Sequence, residues 1–297
     1  MLKKGPLCVL VCYVLWGLLP GYWKLLSPAD PVYVLACRVV FSLLFVGLLL
    51  AVQKNFGHVK AVFHNGREWL RLSLAGVFIC INWGLFIWAV STNRILESSL
   101  AYYMNPILSI LIGTVVFREK LTKLQWLSVA VTFTGLVVTI FRYGQIPWAA
   151  LAIGGSFAIY GAVKKGVSVD AGTSLFMETL TLAPLALVFI LWSEWNGRGA
   201  VGILTGGQLV LLLFSGVVTS VPLLFFAAGI RETSLSLSGT LMYINPTLQL
   251  LIGVFFFGEA FTTTHAILFG FVWSGLALYI ISDVRKHRKH KEETTCE

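Results

Sequence analysis

"YYMNPILSILIG" at residues 102–113 and "MYINPTLQLLIG" at residues 242–253 are two versions of one string, in which Asn105 and Pro106 return as Asn245 and Pro246 after 140 residues. Each sets a helix-breaking proline and a hydrogen-bonding amide inside an apolar run long enough to cross a bilayer. Aligning 100–138 with 240–278 gives 12 identities in 39 positions without a gap, among them Tyr103/Tyr243, Gly113/Gly253, Glu119/Glu259 and Gly135/Gly275. Upstream, Gly76/Gly216, Phe86/Phe226 and Ser98/Ser238 stay in register. The Asn, Pro and Glu matches carry the weight, because apolar agreement is common in any membrane sequence.

The surrounding composition is that of a membrane protein. The 297 residues are 57% hydrophobic and only 12% charged, with mean hydropathy +0.84, whereas a soluble domain is about 25% charged. The net charge of +9 does not point to nucleic acid, because the basic residues sit in short tracts between apolar runs, as membrane topology requires. Four of the five cysteines (Cys8, Cys12, Cys37 and Cys80, but not Cys296) lie in apolar runs and read as small hydrophobes. No metal or disulfide spacing is present. His58, His64 and Glu68 lack ligand spacing, no nucleophile has a nearby base, and no phosphate-cradling glycine loop occurs. No catalytic residue, metal or cofactor is therefore expected, and the chain does not read as an enzyme. The N-terminal "MLKKGPLCVLVCYVLWGLLP" resembles a signal peptide without a small-residue cleavage site and reads as the first membrane helix.

Ten spans follow from runs of suitable length: 7–26, 32–52, 70–90, 98–117, 124–141, 148–163, 173–193, 208–228, 235–257 and 265–282. The offset divides them into a repeat at 1–141 (spans one to five) and another at 142–284 (spans six to ten), followed by a basic tail at 285–297. Each half has an odd number of crossings, so the second is inserted upside down. The fold class is an all-α integral membrane protein with a five-plus-five inverted-topology repeat. With an even number of spans, 17 Lys and Arg residues fall on the side of the termini and three (Arg94, Arg142 and Arg198) on the other, Lys24 and Arg38 lying within spans. Both termini are expected to be cytoplasmic. The charge difference between "FREKLTK" and its counterpart "FGEAFTT" fits opposite placement of equivalent loops.

Polar residues inside the spans are the site candidates. In the fourth span Ser98, Tyr102, Asn105 and Ser109 share one helix face, and Ser238, Met242, Asn245 and Gln249 form the equivalent stripe in the ninth. Pro106 and Pro246 free the carbonyls of Tyr102 and Met242, which must face protein or a wet cavity. Asn105 and Asn245 either stitch kinked helices together or contact solute. Tyr13, Trp16, Pro20 and Lys24 form another stripe; with Asn82, Trp83 and Tyr160 they could wall an aromatic pocket. Lys24 is close enough to a span end to snorkel. Arg38 and Glu178 are repeat equivalents, each about 9 Å deep, which leaves about 10 Å of axial separation. Glu178 is the candidate proton-coupling group; Arg38 holds a solute carboxylate or Glu178 itself, unless both are packing contacts. Glu119 and Glu259 read as helix-start residues for the fifth and tenth spans.

Five strings, "YVLWGLLPGYWKLL" (13–26), "NWGLFIWAV" (82–90), "YYMNPILSILIG", "FREKLTKLQW" (117–126) and "TSVPLLFFAAGIR" (219–231), together resemble the RarD branch of the EamA-type drug/metabolite transporters over essentially the whole chain. The resemblance implies a ten-helix permease of the plasma or inner membrane without an ATPase domain. Its solute would be a small metabolite, amino acid or drug; relatives in this branch are labelled chloramphenicol-sensitive. The expected function is secondary transport by alternating access, in export or exchange, with a passive channel as the alternative. The expected partners are the solute and the lipid bilayer, for a monomeric chain.

Overall fold

The computed structural model describes residues 4–92, 95–144, 147–258 and 261–295, and among these every regular element is a helix. The first pass is α1 (Lys4–Leu18) and α2 (Pro20–Leu25); α3 (Pro31–Val52) is the second, and α4 (Phe56–His64) is a short amphipathic helix in the loop that follows. The first half continues with α5 (Gly66–Ser91), α6 (Ile95–Val115) and α7 (Lys123–Tyr143). The second half has α8 (Trp148–Lys165), α9 (Ala171–Trp195), α10 (Gly206–Ile230), α11 (Leu235–Leu241) with α12 (Ile244–Phe257), and α13 (Thr263–Thr295). Eight passes are long and apolar enough to cross a membrane; α6 contributes a shorter apolar stretch at Leu100–Val115, and α8 has 18 residues ending on two lysines.

The 140-residue register extends from residues to helices. Pro31/Ala171, Gly66/Gly206, Ile95/Leu235 and Lys123/Thr263, which open equivalent helices, all stand 140 apart. Local chemistry sets these starts. Asp30 and Asp170 accept N–H groups at the openings of α3 and α9, and Thr122 and Thr205 form capping boxes with Gln125 and Gln208. Burial opposes ionisation of Asp170, but hydrogen bonds from Thr173 and His58 outweigh it and hold the carboxyl below its ordinary range.

Four expectations change. The first span is not one helix: Leu19 is a turn residue, and Pro20, which has no N–H to continue the ladder, opens α2. The α4 helix lies in a segment read as loop. The basic tail is not separate, since α13 runs on to Thr295. Nor are the two prolines matched breaks: Pro106 sits inside one continuous helix, whereas the ninth pass divides ahead of Pro246. There the Met242 carbonyl, denied its usual donor, accepts the Asn245 N–H at 3.0 Å, and the Thr240 carbonyl accepts the Tyr243 N–H at 3.3 Å, the tighter three-residue pattern.

Loop contacts show that successive passes alternate in direction. On the face where α1 begins and α13 ends, called the terminal face, Glu68 accepts the Ser168 N–H, and Arg231 donates to the Ser168 and Val169 carbonyls. On the opposite face Tyr33 donates to Glu194, and Gln208 to the Leu25 carbonyl. Thus α1 begins on the terminal face and its equivalent α8 on the other. The packing is symmetric under exchange of halves: α1 lies against α10 and α11–α12 as α8 lies against α5 and α6, α3 meets α10 as α9 meets α5, and α7 pairs with α13. The two packing units are therefore not the sequence halves. One contains α5, α6, α8 and α9, the other α10, α11–α12, α1 and α3; α3 meets α9, and α6 meets α11, between them.

Matched glycines sit where these helices cross. A Cβ on Gly216 would strike the Phe41 carbonyl on α3, and one on Gly76 would stand 2.9 Å from the Glu178 carbonyl oxygen on α9. Small residues let membrane helices approach this closely. Gly216→Ala is expected to destabilise the chain by about 1–3 kcal/mol through overpacking, read as a lower melting temperature in detergent. Gly207→Ala, with open space around it, should not lower it; an equal loss at both positions would contradict this packing.

Candidate functional site

Where α3, α5, α9 and α10 meet, they enclose a cavity of about 10 Å³, room for about one water molecule. Val39, Ser42, Ile79 and Trp83 line it from the first half, and their 140-offset equivalents Thr179, Leu182, Thr219 and Leu223 line it from the second; Leu175 and Glu178 complete it. Four equivalent pairs around one space place the cavity on the pseudo-two-fold axis between the halves. Apolar side chains dominate the lining, with four hydroxyl or carboxyl groups, Ser42, Glu178, Thr179 and Thr219, among them.

The charged groups near this axis are arranged differently from the sequence reading. Glu178 does not meet Arg38. Its carboxylate pairs with Lys164 Nζ at 2.5 Å, the two side chains being 2% and 1% exposed. Ser174 donates to the same oxygen at 2.9 Å and accepts from Lys164 at 2.6 Å, while Tyr160 donates to the other carboxylate oxygen at 3.3 Å. Lys164, which lies just beyond the sixth expected span at 148–163, is thus an interior group at the last turn of α8. Its repeat equivalent is Lys24, and the pair Lys24/Lys164 at offset 140 is the signal that would have drawn it into the site. Lys24 itself is exposed at the end of α2, in line with a snorkelling side chain.

Arg38 lies between the rings of Trp23 and Trp83, with Cζ 4.3 Å and 4.6 Å from their centroids, and donates from Nε to Thr219 Oγ1 at 3.0 Å. Indole faces stabilise a desolvated guanidinium through the ring quadrupole. Two of its neighbours, Trp83 and Thr219, line the cavity. Tyr102 of α6 interacts with both the Arg38 charge and Gln249 of α12, so these three candidates come together across the two packing units.

Other candidates divide between walls and struts. Trp16, Phe157, Tyr160 and Phe226 form one aromatic cluster, with Tyr160 stacked on Phe226 at 5.7 Å. Tyr13 joins it and hydrogen-bonds Ser238 at 2.9 Å. These rings pack α1, α8 and α10 together rather than lining the cavity, of which Trp83 is the aromatic wall. Asn82 donates to the Ile153 carbonyl at 2.7 Å and to Ser156 at 3.2 Å, which fastens α5 to α8. Asn105 and Asn245 are buried, and each side-chain oxygen accepts from the residue one turn on: Ser109 at 3.0 Å and Gln249 at 2.7 Å. Those partners are again equivalents.

Glu119 corrects another expectation. Thr122 caps α7, while Glu119 reaches the other packing unit and accepts the Leu235 N–H at 2.7 Å, the Ser236 N–H at 2.9 Å and the Ser236 hydroxyl at 2.7 Å. A carboxylate there satisfies orphan donors and complements the helix dipole. Lys165 adds a bond to the Thr233 carbonyl and lies 3.8 Å from Glu119. Together these groups tie α6 and α8 to the opening of α11 on the terminal face. Glu259 lies outside the described residues.

A model of the EamA-like transporter family matches the chain twice, over residues 3–141 and 146–281. The chain is 38% identical over 293 residues to the uncharacterized transporter YojE of Bacillus subtilis, with 97% of each covered. It is 35% identical over 289 residues to the protein RarD of Salmonella typhi, covering 97% of this chain and 98% of that one. A solved structure titled only as the crystal structure of a protein superposes with a TM-score of 0.72 at 17% identity, over 95% of this chain and 99% of the other, a likeness of fold.

Removing one member of a buried ion pair strands the other, at a cost of about 3–5 kcal/mol. Lys164→Met and Glu178→Gln are each expected to lower the detergent melting temperature sharply, whereas the double substitution recovers much of the loss. Additive losses in this double-mutant cycle would mean that the two groups are not coupled.

Proposed function

The chain belongs to the EamA-like transporter family, in the RarD branch of the drug/metabolite transporters, and is a multi-pass membrane protein; on that premise we propose that it is a secondary transporter working by alternating access. The solute is a small amphipathic metabolite, amino acid or drug, moved across the cell membrane by export or exchange. The halves 1–141 and 142–284 act as an inverted repeat, both termini face the cytoplasm, and one chain suffices. The observation that carries this reading is the cavity on the pseudo-two-fold axis, walled by equivalent residues of oppositely directed helices.

In such an arrangement any opening available to one face has a structural counterpart at the other. The cavity holds about one water molecule, so a solute enters when the packing units part. Contacts between the units mark where they part. On the terminal face these include Glu119 with Ser236, Lys165 with Thr233 and Arg231 with Ser168 and Val169; on the opposite face, Tyr33 with Glu194. Arg38, Tyr102 and Gln249 would meet the solute, while Asn82, Asn105 and Asn245 keep the helices in place. Glu178 is the candidate for proton exchange, with Lys164 controlling its charge.

A Thr179→Cys thiol, in a chain with its five native cysteines replaced by serine, tests the cycle in sided membrane vesicles. A disulfide from Glu119→Cys and Ser236→Cys is expected to leave this thiol open to an impermeant maleimide from the opposite face only. One from Tyr33→Cys and Glu194→Cys should leave it open from the terminal face only. Labelling from both faces whichever disulfide is formed would describe a channel. Without disulfides, the labelling rate should vary with pH, and Glu178→Gln should flatten that profile; an unchanged profile would remove the proton role.

A further inference from the structure

The Lys164–Glu178 pair is neutral as a unit, but its symmetry mate is not. At the equivalent positions of the first half stand Lys24 and Arg38, two cations, and Arg38 is the one drawn inward. Among the described residues no carboxylate lies within 4.0 Å of it. Trp23 and Trp83 stabilise the charge without neutralising it, and the one hydrogen bond, from Nε to Thr219, leaves the two terminal nitrogens without a protein acceptor among those residues. A guanidinium with those two nitrogens available matches a carboxylate bidentately. Tyr102 is within electrostatic reach of it and in turn interacts with Gln249, and the adjoining cavity wall is Val39, Ile79, Leu182 and Leu223.

We propose that the solute is a small monocarboxylate with an otherwise apolar or aromatic body, docked through its carboxylate on Arg38 and through its body against Trp83 and Leu223. One anion brings the interior to neutrality, which lowers the cost of moving both charges through low dielectric. Among the described residues that line the cavity, the one carboxylate is Glu178, and Lys164 holds it, so an ammonium group on the same solute has no free anion to meet there. Monocarboxylates are therefore favoured over their amides, over zwitterions and over amines. The proposal rests on the cavity being the solute site of a transporter, but its test is binding, which does not require transport.

The full chain, purified in detergent at neutral pH, is titrated calorimetrically with matched pairs: butyrate and butyramide, phenylacetate and phenylacetamide, indole-3-acetate and indole-3-acetamide. Phenylalanine and phenethylamine are included. At least one acid is expected to bind tenfold or more tightly than its amide, and phenylacetate more tightly than phenylalanine. Arg38→Gln should abolish the acid preference, and Arg38→Lys, which keeps the charge but loses the fork, should reduce it. The melting temperatures of the unliganded variants report whether they fold; if neither does, the acid–amide comparison on the unaltered chain decides alone. The proposal is overturned if no acid binds, if amides bind as tightly as their acids, or if folded Arg38→Gln keeps the preference. Acid binding without alternating accessibility would instead refute the transport cycle and leave this site standing.

Discussion

Inside a bilayer a charge or a backbone polar group has no water to fall back on, so each must find its partner within the protein. The interior of this chain is organised around that requirement. Glu178 and Lys164 neutralise one another, with Ser174 and Tyr160 filling the remaining hydrogen-bond positions. Carbonyls displaced near Pro246 are taken up by a tighter turn. Asn105 and Asn245 accept from side chains on their own helices. Among the described residues Arg38 is the exception, stabilised by indole rings and a hydroxyl but with no carboxylate beside it, and it borders the cavity on the symmetry axis.

Symmetry and its local failure perform different tasks. Equivalent helix starts, mirrored crossings and matched glycines give the two halves like packing, which the proposed device that opens to either face needs. The charges depart from symmetry, with the Lys164–Glu178 pair toward the terminal face and, at the equivalent positions toward the other, the two cations Lys24 and Arg38. The exchange of α1 and α8 between units means that neither half folds into a bundle of its own, so movement of one unit draws on both halves of the sequence.

Much of this was legible in the sequence because the repeat is carried by rare residues. Asn105/Asn245, Gly76/Gly216 and Gly135/Gly275 announced the register that the helices follow, and the apolar runs fall on long helices, eight of them, among the described residues, long and apolar enough to cross a membrane, although α13 runs on well past the expected end at residue 282. What escaped detection depends on side-chain reach and on packing between distant segments. Lys164 adjoins a loop, but its long side chain turns inward to a carboxylate 14 residues on. Glu119 precedes α7, yet caps α11, which lies 116 residues away in sequence. Pro106 and Pro246 share one motif but sit in different surroundings, so one helix remains whole and the other divides. No periodicity encodes such choices. Trp83, by contrast, stood beside Asn82 in the third apolar run as a candidate pocket wall, and it lines the cavity.

The central claim is that two packing units move as bodies about a cavity on the axis. Pulsed electron–electron distances in lipid nanodiscs test this directly, with spin labels at Lys120→Cys and Glu232→Cys across the terminal face and, in a second sample, at Ser27→Cys and Asn196→Cys across the opposite face. The account predicts two distances for each pair, and conditions that enrich the longer distance on one face should enrich the shorter on the other. A single distance for each pair under all conditions, or simultaneous lengthening on both faces, would contradict it.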